Sequence, residues 1–281
     1  MGFGTSAKAG INRALRPFNA RLDSLTAERV ESERLADLIS RGQFEQPQFP
    51  LLPFNDSRAS ALFKQLAVDA AAFSAAVRRQ QEFTLDNDYF STPDAEVLYS
   101  VVQQFRPARV VEVGSGNSTL LFRLAVEDAR TDTKITSIDP IPRRSVEAVA
   151  DNIIRSRAEL TDVEVFAQLQ AGDILFIDSS HEVRTGNDVL FIFFQILPAL
   201  CPGVIIHLHD IFLPYDYPQG WVAESRWGWT EQYLLQAFLT ANNEYDIFWP
   251  GHLLQRSRVD FKSHFSNLGC KTAKSFWLIK R

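Results

Sequence analysis

Cysteine is nearly missing: Cys201 and Cys270 are the only two in 281 residues. Two cysteines make neither a disulfide framework nor a cysteine-based zinc site, and they suit a reducing cytoplasm. Positive charge is not in excess either. The formal net charge is -5, which argues against a general nucleic-acid binder. The first residues carry Lys8, Arg13 and Arg16 but lack the apolar core of a signal peptide. A continuous membrane-spanning run is also wanting. Residues 189–208 hold no charge and are long enough to span, yet Pro198, Pro202 and Gly203 interrupt them. They read as a buried helix followed by a buried strand, so no membrane span is expected. Repeats and low-complexity tracts are absent. What remains, 46% hydrophobic and 22% charged, is ordinary globular composition, enough for one large domain or one domain with an appendage.

Two styles of sequence follow one another. Residues 1–90 are expected to be a helical extension. Leu22, Leu25, Leu35, Leu38 and Ile39 recur at helical spacing, and 59–83 is a second helix with Leu62, Leu66, Phe73 and Val77 on one side. Pro47, Pro50 and Pro53 mark an extended linker between them. This region reads as a cap or an oligomerisation arm, and a homo-oligomer through its helices is the expected use. Residues 91–281 instead alternate strands (109–113, 134–138, 163–166, 173–177, 203–209, 245–249, 275–280) with helices (94–105, 118–129, 143–158, 186–200, 230–241). That rhythm predicts an α/β domain: a mostly parallel sheet with helices on both faces. Ligands of such sheets lie beyond the carboxyl ends of the strands.

At one such end, Val110, Val111 and Val113 run into Gly114-x-Gly116-x-x-Thr119, preceded by Glu112. Asn117 and Ser118 then open an apolar helix. A strand, a glycine loop and a helix N-terminus form a nucleotide cradle. Thr119 occupies the slot where a dinucleotide site wants a third glycine or alanine, which argues against a nicotinamide cofactor, as does the lack of a Tyr-x-x-x-Lys pair. Asp139 ends the next strand about 20 residues on, where a carboxylate suits ribose hydroxyls. A turn or capping role for it is the bland alternative.

Two further strand ends carry Asp178 with His181, and His209 with Asp210. Three readings of that set stand side by side. It can hold a divalent cation (magnesium, manganese, iron or zinc). It can supply a metal-free general base in His181 or His209. It can be structural capping, with His207 a satisfied buried histidine. An aromatic loop follows, with Tyr215, Tyr217, Trp221, Trp227 and Trp229, and reads as a lid wall or a satellite core. Thr230 looks like the N-cap of the next helix.

The segments Asp94-Ala-Glu-Val-Leu-Tyr, Val111-Glu-Val-Gly-Ser-Gly-Asn-Ser-Thr, Asp173-Ile-Leu-Phe-Ile-Asp-Ser-Ser-His and His209-Asp-Ile-Phe-Leu-Pro resemble class I S-adenosylmethionine (SAM) dependent methyltransferases of the bacterial branch found beside polysaccharide and natural-product genes. The resemblance covers residues 90–281. It implies a Rossmann-like seven-stranded sheet and SAM on the 114–117 loop. The expected cofactor contacts are Glu112, Gly114, Ser115, Gly116, Asn117, Ser118, Asp139 and Asp178. The resemblance maps metal-ligating carboxylates onto Asp178 and Asp210; with His209 beside them, Asp178, His209 and Asp210 are the expected metal ligands, and Asp178, His181 and His209 the expected catalytic residues. Some relatives carry an acidic residue where this chain has His209, and 166–170 holds no carboxylate for adenine. The implied reaction is O-methylation of a small-molecule acceptor. A non-methylating enzyme or scaffold, and less so a nicotinamide-dependent oxidoreductase, are the rivals.

Overall fold

The computed structural model describes residues 3–21, 25–80, 82–265 and 268–281; Leu22 lies outside them. Two compact units form. The smaller comprises Met1–Gln46 with Pro218–Arg226, and the larger Pro47–Tyr217 with Trp227–Arg281.

In the smaller unit, α1 (Phe3–Leu15) and α2 (Thr26–Ser40) are the α-helices among the described residues. Leu35 is buried, whereas Leu25 and Ile39 are exposed, so the spacing that signalled a helix does not build a core there. The Arg226 guanidinium bonds Glu28 Oε1 at 3.2 Å and Ser32 Oγ at 3.0 Å.

The larger unit is a sheet flanked by helices. α3 (Asp56–Arg79) is capped by Asn55, whose Oδ1 accepts from the Arg58 amide. Its buried Ala59, Leu62, Phe63, Leu66, Phe73 and Ala76 lie along one helix face and pack with α4 (Asp94–Phe105). By length and composition α3 is the one described helix that could cross a membrane; here its apolar stripe belongs to the core.

The strands are β1 (Arg109–Val113), β2 (Lys134–Ile138), β3 (Asn152–Ile154), β4 (Ile174–Ile177), β5 (Ile205–Leu208), β6 (Tyr245–Pro250) and β7 (Phe276–Lys280). Their order is β3-β2-β1-β4-β5-β7-β6, with β7 antiparallel to both neighbours. Alternate side chains enter opposite cores. Val110, Ile174, Phe176 and Ile205 join the face built with α3, α4 and α5 (Asn117–Ala129), while Val111, Val113, Leu175, Ile177, Ile206 and Leu208 join the other. Burial on both faces explains why these strands read as apolar runs without alternation. The uncharged 189–208 stretch resolves as expected into helical turns, α7 (Asp188–Phe191) through α8 (Leu197–Ala199), and then β5.

Two expectations are overturned. The strand expected at 163–166 is a single helical turn, α6 (Glu164–Ala167), whose Glu164 amide is capped by Asp162 Oδ1. The helix expected at 143–158 contains β3 instead, with Thr136, Ser137 and Ile138 of β2 as its neighbours. Both errors come from elements of three or four residues, too short to show a period. The remaining helices are α9 (Glu231–Leu239) and α10 (Gly251–Ser257).

Candidate active site at the carboxyl edge of the sheet

Strand register brings the polar groups level. Val113 pairs with both Ile138 and Ile177, and Ile177 with Leu208. The residues that follow, Gly114, Asp139, Asp178 and His209, therefore emerge side by side. Backbone bonds continue the ladder one step: Asp178 N to Val113 O at 2.9 Å, and His209 N to Ile177 O at 2.9 Å. The crevice between β1 and β4 is where the strand order reverses, the place where such sheets bind ligands.

The glycine loop is pinned from below. Glu112 is fully buried, and its carboxylate accepts from Ser118 Oγ (2.5 Å), Thr119 Oγ1 (2.6 Å) and Ser137 Oγ (3.0 Å). Thr119 Oγ1 in turn accepts from the Gly116 amide at 2.9 Å. Thr119 thus ties the loop to the strand beneath it. Burial raises the Glu112 carboxyl to about 7, although the three hydroxyls oppose that rise. Gly114 has φ +82°, and a Cβ there would lie 2.4 Å from the Asp178 carbonyl oxygen. Only glycine lets the β1 and β4 ends approach so closely. A Cβ on Gly116 would meet nothing within 4 Å, so the loop backbone there faces open space. Asp139 braces the loop from the side: its Oδ2 accepts from Ser115 N (2.9 Å) and Ser115 Oγ (3.0 Å), and its Oδ1 from Ile141 N (2.8 Å). The Asn117 amide group is bonded to Asn87 and Arg144.

Beside the loop is a cluster around one imidazole. His181 Nε2 is 3.2 Å from Asp178 Oδ1 and 3.6 Å from Asp210 Oδ2, and its Nδ1 is 2.9 Å from Glu231 Oε2. Ser179 Oγ donates to Glu231 Oε1, and the Thr230 and Glu231 amides donate to the His181 carbonyl. Lys274 Nζ approaches Asp210 Oδ1 at 3.2 Å. His181 and Asp210 both adopt left-handed backbone, at φ 60° and 56°. Non-glycine residues hold that conformation when their surroundings over-determine it, as functional sites often do.

Burial alone would depress the His181 pKa, but hydrogen bonds and charge from Asp178 and Glu231 raise it well above the usual value. Burial likewise opposes Asp178 ionisation, but its bond from His181 and the nearby imidazoles hold its carboxyl below the usual range. Without a cation the pair is an imidazolium against carboxylates. His209 differs. It is 2% exposed, packs on Phe90 at 5.0 Å between ring centroids, and neither ring nitrogen has a hydrogen-bond partner among the described residues.

Asp178, His181 and Asp210 come together as the donor set, with oxygen and nitrogen atoms within 4.8 Å of one another. His209, expected as a ligand, lies beside the set, its Nε2 3.8 Å from Asp210 Oδ1. Glu112 and Ser118, expected at the cofactor, bond each other under the loop. His207 is buried, stacked on Phe176 at 3.9 Å, with Nε2 3.1 Å from Ser275 Oγ. Thr230 does not cap its own helix by side chain; its Oγ1 accepts from the Val183 amide at 2.7 Å. The aromatic loop divides: Phe212 and Tyr217 are buried as a satellite core, while Trp229 packs tilted against His181 (4.2 Å between ring centroids) and Trp227 stacks on Trp229 (4.7 Å). Sequence reasoning did not place Glu231, Lys274 or Asp94 here. Asp94 accepts from the Lys274 and Ser275 amides and so fixes the segment entering β7. Glu231 had one local signal, a carboxylate in the first turn of a helix, and nothing in its neighbourhood pointed to His181.

Residues 111–211 match a family model described as a methyltransferase domain. No curated protein matches the chain. Among solved structures the chain is similar to the SAH-bound Podospora anserina methyltransferase PaMTH1, at 15% identity over 83% of this chain and 99% of that one, with a TM-score of 0.43. It is also similar to an O-methyltransferase from Bacillus cereus in complex with SAH, at 16% identity over 82% and 93%, with a TM-score of 0.43. The matched segment runs from β1 past β5 and holds the glycine loop, Asp139, Asp178, His181, His209 and Asp210, so over these strands the chain is similar to a methyltransferase domain.

Proposed function

We propose that the chain methylates a hydroxyl oxygen of a small molecule, such as a sugar or secondary metabolite, at the edge where the glycine loop meets the His181 cluster. The observation that carries this reading is the contact of Gly114 with the Asp178 carbonyl, which sets the cofactor loop directly against the carboxylate–imidazole set. SAM supplies an activated methyl group. The residues fit it. Gly116 opens to free space at the N-terminus of α5, and Asp139, at the end of β2, can take ribose hydroxyls on the lone pairs its loop bonds leave. The protein's own task is then to hold the acceptor oxygen in line and to remove its proton.

The donor set also fits a divalent cation held by Asp178, His181 and Asp210. Metal–ligand distances of about 2.0–2.4 Å put neighbouring donors roughly 3–4 Å apart, as the 3.2 and 3.6 Å separations are. Glu231 on Nδ1 leaves Nε2 as the ligating nitrogen, a carboxylate–histidine–metal arrangement. Such a cation would lower the pKa of a bound hydroxyl. His181 is the imidazole of this set, and His209 stands beside it, its Nε2 3.8 Å from Asp210 Oδ1. Without a cation, His181 keeps its proton at neutral pH and is no base; His209, with both nitrogens unpartnered, is then the acceptor of the proton. The stacked Trp227 and Trp229 offer a flat wall next to His181, suited to a ring-shaped acceptor.

The test is turnover of SAM with a panel of sugars and hydroxylated aromatic compounds, with metal-stripped and metal-supplemented protein, and mass-spectrometric assignment of the methylated atom. O-methylated product, lost in Asp178→Ala, supports the reading. Methyl on nitrogen or carbon, or no product despite SAM binding, contradicts it.

A further inference from the structure

We propose that α1 and the turn after it form an interfacial segment that lays the protein on an anionic lipid surface. Residues 1–21 contain Lys8, Arg13, Arg16 and Arg21 and no acidic residue, although the whole chain carries a net charge of -5. Charge set apart in this way is not needed for folding and points to an anionic partner. The same stretch is amphipathic. Ile11 and Leu15 lie one turn apart on α1, Phe18 follows in the 3-10 turn Arg16–Phe18, and Arg13 falls on the opposite side of the helix. Ile11 is 46% exposed and Phe18 is 78% exposed. Lys8 lies one turn before Ile11 and flanks that apolar side; uncovered apolar side chains bordered by basic ones are the pattern of helices lying in a membrane interface. At 13 residues α1 is about 20 Å long, too short to cross a bilayer, so it would lie in the plane of the surface.

A second copy of the chain is the competing occupant, and its acidic helix would be α2. The acids of α2 already have basic partners. Glu28 bonds Arg226 (3.2 Å), Glu31 bonds Arg34 (2.6 Å), Glu33 meets Arg29 (3.6 Å), and Asp37 pairs with Arg41. They present little unbalanced charge to another α1. Lipid phosphates do, and the acyl boundary also takes Ile11 and Phe18, which an acidic soluble partner would leave in water. Attraction to an anionic leaflet changes binding by roughly fivefold for each basic residue near the surface.

The test is flotation of the full chain with vesicles of phosphatidylcholine and phosphatidylglycerol at three to one, and with pure phosphatidylcholine. The segment predicts flotation with the anionic vesicles only, reversed by half-molar salt. Arg13→Glu with Arg16→Glu should lower partitioning more than tenfold, and so should Ile11→Ser with Phe18→Ser. Both double variants should bind SAM as the parent does, showing the larger unit intact. Absence of flotation, equal flotation with neutral vesicles, or flotation unaltered in both variants would overturn the proposal. So would light scattering that shows an oligomer dissolved by Ile11→Ser without any vesicle binding, since a second copy would then occupy the face.

Discussion

Individual residues at the loop carry consequences that can be measured. Gly114→Ala forces a side chain into left-handed backbone and against the Asp178 carbonyl. We expect a loss of more than about 2 kcal/mol of stability and at least a tenfold loss of SAM affinity; urea unfolding and calorimetry read both. Glu112 has a folded-state pKa raised from 4.5 to about 7, so folding disfavours its ionised form. Its contribution is intact below about pH 4.5 and is lost as pH rises through 7, on the order of 3 kcal/mol in all. Unfolding curves between pH 5 and 8.5 should therefore fall more steeply for the parent than for Glu112→Gln, and equal slopes would refute the buried-anchor role. Glu231→Gln keeps the shape but removes the charge behind His181 Nδ1. It should weaken cation binding by 10–100-fold, read by competition with a metal indicator. Asp178, His181 and Asp210 were legible in the sequence because polar residues that end apolar strands must meet at the sheet edge. Glu231 and Lys274 were not, since they reach His181 and Asp210 from 50 and 64 positions away, and no local pattern encodes that distance.

At the scale of elements, the sheet shows where periodicity suffices and where it fails. β1, β2, β4 and β5 are buried on both faces and appear as largely apolar runs closed by glycine, aspartate or histidine, so their limits could be read within a residue or two. β3 has three residues, the first exposed and the others half-buried, and no run marks it. α6 borrows Val163, Val165 and Phe166 from strand-like composition, yet the Asp162 cap turns the segment into a helix. α3 gives its periodicity plainly; what periodicity could not say is that its stripe packs on α4 within the larger unit. Leu62→Ala should therefore cost about 2–4 kcal/mol and shift the same unfolding transition that SAM stabilises. A separate transition, moved by Leu62→Ala and indifferent to SAM, would detach α3 from the rest of the larger unit.

Over the whole molecule, parallel register does the assembling. Because Val113, Ile138, Ile177 and Leu208 lie in step across β2, β1, β4 and β5, four strand ends deliver a glycine loop, the Asp139 carboxylate and a carboxylate–imidazole cluster to one crevice. Hydrophobic burial on both faces fixes that register, since a slip by one residue would turn each strand's core side chains to the wrong face. The central claim is that this crevice binds SAM and, next to it, a divalent cation. Calorimetric titration of metal-stripped protein with SAM, repeated with magnesium, manganese, iron(II) and zinc, tests it most directly. The account predicts SAM binding in every case, and additional heat from at least one cation that disappears in Asp178→Ala and Asp210→Ala. SAM binding with no cation effect would remove the metal and leave His209 as the base; no SAM binding would contradict the methyltransferase reading itself.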